Sequence, residues 1–291
     1  MRSFHYNRGE RFRVAILLAP ALMVLAALFG FGLLLGVLRS FGYSPYRNDN
    51  DWSLEHYRTV FGSDRFLSSL GFSFQIALIT TILSMIIAVW AAMVLRKRFF
   101  GSRLAVFLFQ TPLPVPHLVA GSAILLLFTQ SGIISRLFVA TGLTSVPADF
   151  PALTFDRWGI AIILSFLWKE IPFIGMVVLA VLKSIGPDYE AVAATLGASR
   201  WQRFRYVLFP LIGAPLVSSS IIVFAFAFSN YEIPLLLGSP DPAALPVFSF
   251  QLFIDPDIAL RPQAMASAMV LAFSALFFLL LYRRVAHTVL A

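Results

Sequence analysis

Residues 187–215 read PDYEAVAATLGASRWQRFRYVLFPLIGAP. Asp188, Glu190, Arg200, Arg203 and Arg205 place five charges here, in a chain that is otherwise strongly apolar. Gly186 can end a preceding helix in a left-handed cap. Pro187 suits the first position of the next helix. Asp188 and Glu190 then fall in its first turn, where the helix dipole favours negative charge. Glu190, Ala193, Ala194 and Gly197 recur at helical spacing and make one narrow face of small side chains opened by an acid. Beyond Gly197 the pattern changes. Trp201, Phe204 and Leu208 share one face while Arg200 and Arg203 share another, the pattern of an interfacial amphipathic helix. Pro210 and Pro215 punctuate the entry to the next apolar run. A basic surface loop accounts for the amphipathic half. It does not account for the small face, which gains nothing against lipid and suits a groove in another protein.

Apolar runs flank this stretch on both sides. Of 291 residues, 59% are apolar and 12% charged, against roughly 25% charged in a soluble domain. Runs at about 14–38, 72–95, 104–129, 159–182, 213–235 and 263–282 each approach the ~20 residues that a spanning helix needs. They are apolar nearly all round, whereas a soluble helix has an apolar stripe and a polar face. The expected fold is therefore an all-α membrane protein, a single transmembrane domain over 1–291 with six transmembrane helices. With the N-terminus inside, the inner segments hold fourteen Lys and Arg and the outer ones seven. The positive-inside rule thus places both termini and the loop 183–212 in the cytoplasm. The net charge of +8 is first a topology signal. It is scattered over four short segments, which argues against nucleic-acid binding. The first apolar run is too long for the core of a cleavable signal, so it is expected to remain as a span.

Little here resembles catalytic chemistry. There is no cysteine, hence no thiol nucleophile or cysteine metal site. The three lysines follow Arg96, Trp168 and Leu182, whereas a phosphate-binding P-loop needs Gly before its Lys. His5, His56, His117 and His287 are too far apart to form a metal pair on one helix. What remains reads as a conduit. In span three, TPLPVPHLVAG (111–121) sets Pro112, Pro114 and Pro116 at alternate positions. No unbroken helix accepts that, since each proline removes a donor and clashes with the preceding turn. Irregular backbone at membrane depth is tolerated only against protein or a water-lined cavity. The break is either a packed kink or part of a translocation path. Lys169 and Glu170 lie near mid-membrane, Glu170 at a depth of about 18 Å from the inner end of its span. A charge there costs at least ~2.5 kcal/mol on insertion scales and so must find a partner. Neighbours on a helix do not face each other, so each residue needs its own. At the outer end of span five, Asn230, Tyr231 and Glu232 could seal a gate, meet a docking protein or contact a cationic or polyhydroxylated solute. In the first outer segment Trp52, Leu54, Tyr57 and Phe61 have roughly helical spacing and predict a short surface helix.

The inner loop resembles the EAA loop of type I ABC importer permeases. Ala193, Gly197 and Pro210, with Val207 three residues before the proline, match its order and its Gly-to-Pro spacing. The resemblance extends to W-x-x-x-P-F in span four (Trp168, Pro172, Phe173) and to the six-span layout. One departure stands out. Counting back from Gly197, the family's Glu falls on Ala191, while this chain's acid is Glu190 and Val192 replaces the first Ala. Neighbours on a helix are ~100° apart, so Glu190 either reaches a different basic partner or caps the helix.

The resemblance implies a type I ABC importer permease fold in a bacterial cytoplasmic membrane. Asp188, Glu190, Ala191, Ala193, Ala194, Gly197, Ala198 and Pro210 would belong to a coupling loop seated in a cytoplasmic ATPase. Two ATPase copies would hold the ATP and Mg, leaving no cofactor in this chain. A second, related permease would complete the channel, and an extracytoplasmic solute-binding protein would deliver cargo. Pro112, Pro116, Glu170, Phe173, Asn230, Tyr231 and Glu232 are the candidates for path or gate. The SNYEIP and LPVFSF segments are most similar to the polyamine, ferric-iron and thiamine importers, which makes a polyamine-like cation the leading expectation for the solute. An ion-driven secondary transporter would instead show paired broken helices in inverted repeats, and one Pro-broken span is found. A membrane enzyme or scaffold is the remaining alternative.

Overall fold

The computed structural model describes residues 8–43, 52–97, 99–186 and 188–290. Among these every regular element is helical. The first half runs through α1 (Arg8–Leu25), a π-helical turn (Ala26–Gly30), α2 (Phe31–Ser40), α3 (Glu55–Phe61), α4 (Asp64–Leu95), α5 (Ser102–Gln110), α6 (His117–Phe128) and α7 (Ile133–Ala140). The second half comprises α8 (Ile160–Ile185), α9 (Asp188–Thr195), α10 (Arg200–Arg203), α11 (Phe209–Ser229), α12 (Glu232–Leu237), α13 (Leu245–Ile254) and α14 (Arg261–Leu290). Among the described residues, six stretches are long and apolar enough to cross a bilayer. Pro187, expected to open α9, lies outside the described residues.

Three stretches depart from their apolar runs. The second begins at Asp64, because Ser63 caps it by accepting the Phe66 N–H. The fifth begins at Arg200. The amphipathic stretch expected as a separate helix is instead fused to span five through a π-helical turn, Phe204–Leu208. Pro210 therefore does not break the chain. In a regular helix its ring would strike the carbonyl four residues back, at Tyr206, and the wider turn lies at that place. In the third, the prolines split the expected run 104–129 into α5 and α6, with an irregular backbone at 111–116. The third long apolar stretch is then His117–Ala140, interrupted near Gly132.

The chain divides into two compact units. One takes in the residues up to Gly62 together with Gln251–Met269. Its α1 exposes Leu17, Met23 and Val24, and the π turn exposes Leu28 and Phe29, as a lipid-facing helix does. Gly36 lets Met269 approach, since a Cβ there would stand 3.0 Å from the Met269 methyl. The surface helix α3 begins only at Glu55. Trp52 and Leu54 precede it and stay exposed with Phe61, while Val60 is buried. The Tyr57 hydroxyl pairs with Ser40 Oγ at 2.7 Å.

The other unit holds Ser63–Phe250 and the chain from Val270 onward. Here α4, α8 and α11 pack together. Lipid tails give apolar helices no reason to associate, so contact depends on small faces and close packing. α4 accordingly turns Ser73, Ala77, Thr80, Ser84, Ala88 and Ala92 inward. In its inner half Ala88 and Ala92 meet Ile174, Val178 and Leu182 of α8 and Ile212 of α11. A Cβ on Gly175 would stand 2.6 Å from the Phe109 ring, so this glycine is the seat of α5 on α8. Phe278 packs among Phe74, Phe224 and Phe228, with ring centroids 4.8–5.9 Å apart. Towards the outer side α12 packs on α6 and α8. Gly121 allows this, because a Cβ there would lie 2.8 Å from Ile233 Cδ1. Ala243–Phe248 are buried as well, and the Leu245 N–H donates to Ser73 Oγ at 2.7 Å.

Candidate functional site

The inner loop is built from two turns around one short helix. α8 ends at Ile185, and its C-cap Gly186 has φ +72° and ψ −177°, an extended conformation open to glycine rather than the left-handed cap expected of it. α9 then runs from Asp188 to Thr195. Its C-terminus is a Schellman motif, in which the Gly197 N–H donates to Ala194 O and the Ala198 N–H to Ala193 O, both at 3.0 Å. Gly197 has a φ of +82°. It therefore stands at the cap and not on the helical face it was expected to share with Glu190, Ala193 and Ala194. A Cβ on it would meet nothing within 4 Å. Backbone conformation, not close packing, requires glycine here. Ser199 and Gln202 next form a capping box, closed by Ser199 N–H to Gln202 Oε1 at 2.7 Å and Gln202 N–H to Ser199 Oγ at 3.3 Å.

No residue of α9 is buried. Tyr189, Val192 and Leu196 are exposed, Leu196 to 82%, and so are Trp201 and Tyr206. A shallow cavity of about 330 Å³ opens between Ala193, Leu196, Gly197 and Ala198 on one side and Gln202 and Tyr206 on the other. Glu190 reaches back to the bundle. Its carboxylate meets the Arg96 guanidinium in a two-point contact, Nη1 to Oε1 at 2.6 Å and Nη2 to Oε2 at 3.0 Å. Arg96 is the C-cap of α4.

A second polar cluster lies inside the membrane span. Lys169 and Glu170 are both buried and, as expected of helix neighbours, they have separate partners. The Lys169 ammonium donates to the main-chain carbonyls of Leu113, at 3.2 Å, and Val115. These carbonyls belong to the proline-broken segment, so the lysine satisfies acceptors that the broken helix no longer serves. Glu170 Oε1 lies 3.6 Å from His117 Nε2. The His117 ring rests against Phe226 with centroids 4.6 Å apart, and Phe226 in turn meets Phe166. α11 ends at Ser229 in the next turn. Asn230 leaves the helix, and its Oδ1 accepts the Ile233 N–H at 3.0 Å, which caps α12. Glu232, at the start of α12, is exposed. The Tyr231 ring meets Phe250 edge-on at 4.9 Å.

A family model described as binding-protein-dependent transport system inner membrane component matches residues 84–288, which take in the inner loop and the polar cluster. The chain belongs to this family. It is similar to the maltodextrin transport system permease protein MalC of Streptococcus pneumoniae, 29% identical over 203 residues, or 67% of this chain and 46% of that one. It is also similar to the sulfate transport system permease protein CysT of Escherichia coli, 29% identical over 184 residues, or 63% of each chain. The match thus spans about half the length of the maltodextrin relative. Among solved structures, a bacterial ABC transporter involved in the import of the acidic polysaccharide alginate superposes with a TM-score of 0.78 at 18% identity, over 95% of this chain and 96% of that one. The likeness shows a shared fold.

This inner membrane component arranges the residues singled out in its sequence as follows. Asp188, Glu190, Ala191, Ala193 and Ala194 lie on α9, Gly197 and Ala198 form its cap, and Pro210 is the second residue of α11. Pro112 is buried, Pro116 is the N-cap of α6, and Phe173 packs against the inner apolar core. Glu170 comes together with His117, although they lie on different helices and looked unrelated in sequence. His117, Arg96 and the carbonyls of Leu113 and Val115 are the partners that sequence reasoning missed. His117 had one signal, its place directly after the third proline. Arg96 had been read only as a topology charge.

Proposed function

We propose that this chain is the permease subunit of an ATP-driven importer in a bacterial cytoplasmic membrane. It forms the solute path and receives force at its inner loop. One observation carries the coupling role: α9 is an unburied helix, bracketed by two positive-φ glycines, that presents Tyr189, Val192 and Leu196 outward on the inner side. A helix so exposed has a surface to give to a partner. That partner is a cytoplasmic ATPase, two copies of which bind ATP and Mg, since the chain itself offers no P-loop. A second, related permease and an extracytoplasmic solute-binding protein complete the assembly. The loop residues Asp188 to Ala198 and Pro210 shape the docking element. The break at Pro112–Pro116, with Glu170, Asn230, Tyr231 and Glu232, borders the path.

The relatives named above for maltodextrin and sulfate carry cargo of different charge, so the cargo depends on side chains and not on the fold. Here the Lys169 ammonium is committed to carbonyls, while Glu170 and Glu232 present carboxylates beside Phe226 and Tyr231. This favours a small cation of the polyamine type. The test is uptake into vesicles carrying the co-purified complex. ATP-dependent accumulation of putrescine or spermidine is expected, abolished by Glu232→Gln with ATP hydrolysis retained. Uptake by the chain without an ATPase would overturn the importer reading. ATP-dependent uptake of sulfate or a sugar with no polyamine uptake would overturn the cation.

A further inference from the structure

In this chain the acid of the inner loop faces the chain's own bundle. Among the described residues, the Arg96–Glu190 contact is the one side-chain hydrogen bond or ion pair that joins α9 to a membrane-spanning helix. The rest of α9 is loosely held. It has no buried residue, and it is flanked by Gly186 and Gly197, both at positive φ with open space where a Cβ would stand. Such glycines let the backbone rotate at either end. The Arg96 end is firm by contrast, since α4 is packed through Ala88, Ala92 and Leu95 into the inner core. One charge-assisted hydrogen bond, Nη2 to Oε2, and one close ion-pair approach, Nη1 to Oε1, hold the carboxylate at the guanidinium. The pair is partly sheltered, with the side chains 19% and 20% exposed, so salt screens it less than an open surface pair.

Resting on the permease reading, we infer that Arg96 and Glu190 are a positioning pair that delivers the displacement of α9 directly to the inner end of α4. Without the pair, a push on α9 reaches the bundle through the main chain and through its packing on the turn Phe204–Leu208, which leads into α11 and not into α4. The one-residue offset of the acid acquires a reason. At 190 the carboxylate points to α4, while position 191, about 100° further round the helix, carries the exposed Ala191.

The absence of cysteine makes the test direct. Environment-sensitive labels are placed singly at Val94→Cys, on the inner end of α4, and at Leu196→Cys, on the loop. Each is read in the full complex in nanodiscs, before and after ATP with vanadate. In the otherwise unaltered chain both labels are expected to respond. With Glu190→Gln the Leu196 label keeps its response and the Val94 response falls about tenfold, within the range of ordinary coupling energies. The swap Arg96→Glu with Glu190→Arg restores it. An undiminished Val94 response in Glu190→Gln would overturn the inference. So would loss of both responses without rescue by the swap, because Glu190 would then act in docking the ATPase. No response at either label in the unaltered chain, with no ATP hydrolysis, would overturn the permease reading itself and the pair with it.

Discussion

The inner loop and the mid-membrane cluster each contain charges and glycines, and they use them in opposite ways. In the loop, Gly197 has open space around it and is needed for its left-handed backbone. In the bundle, Gly175 has an ordinary helical backbone and is needed because Phe109 occupies the place of a side chain. Glu190 is paired near solvent, where the energy of a pair is small. Lys169 is buried against main-chain carbonyls, where an unsatisfied group is costly. The contrast separates a region built to move from one built to hold. Stability is concentrated in the bundle, and the loop is free to follow a partner.

The comparison is tested most severely at Lys169. Lys169→Met leaves the Leu113 and Val115 carbonyls without their donor. Loss of about 2–5 kcal/mol is expected, about 1–3 kcal/mol for each acceptor left unsatisfied, read as a collapse of monodisperse yield in detergent. A normal yield would mean that the proline break holds itself. Next in size is Gly175→Leu, which drives a side chain into Phe109 and should cost about 1–3 kcal/mol, read as a lower unfolding temperature. Phe109→Ala in the same chain should recover part of it. Gly197→Ala meets no atom and should cost about 1–2 kcal/mol through φ alone. That cost is local, so protease sensitivity at the loop should rise while the unfolding temperature of the bundle stays put. Gly197→Asn should do less harm, because Asn tolerates the left-handed region. Smallest is Glu190→Gln, with an expected stability change of at most about 1 kcal/mol. A large fall in unfolding temperature there would erase the distinction between the two regions.

Much of this was legible in the sequence. The helical class and the six spans follow from hydropathy, and the break in span three from three prolines. Gly186 follows α8 as expected, but with ψ of −177° and so not in the left-handed cap that the sequence suggested. Gly197 was singled out for the wrong reason. Helical spacing assigned it to a small face, but a glycine that ends a helix shows the same spacing as one inside it. The difference lies in φ, which periodicity does not record. The extent of span five was misread in a related way. Prolines at 210 and 215 look like punctuation, while a π-helical turn at Phe204–Leu208 precedes Pro210 and Pro215 lies inside α11.

The sequence by itself determined what each segment could tolerate: apolar runs had to cross lipid, three alternating prolines had to break a helix, and buried charges had to be paired. Those are local demands set by solvent and backbone chemistry. Only the tertiary structure decided which partners met them. Lys169 pairs with carbonyls more than fifty residues away in sequence, Glu170 faces His117, and Glu190 turns to Arg96. Pairing depends on which helices touch, and helix contact in a membrane is set by the fit of small faces that many registers could satisfy on paper.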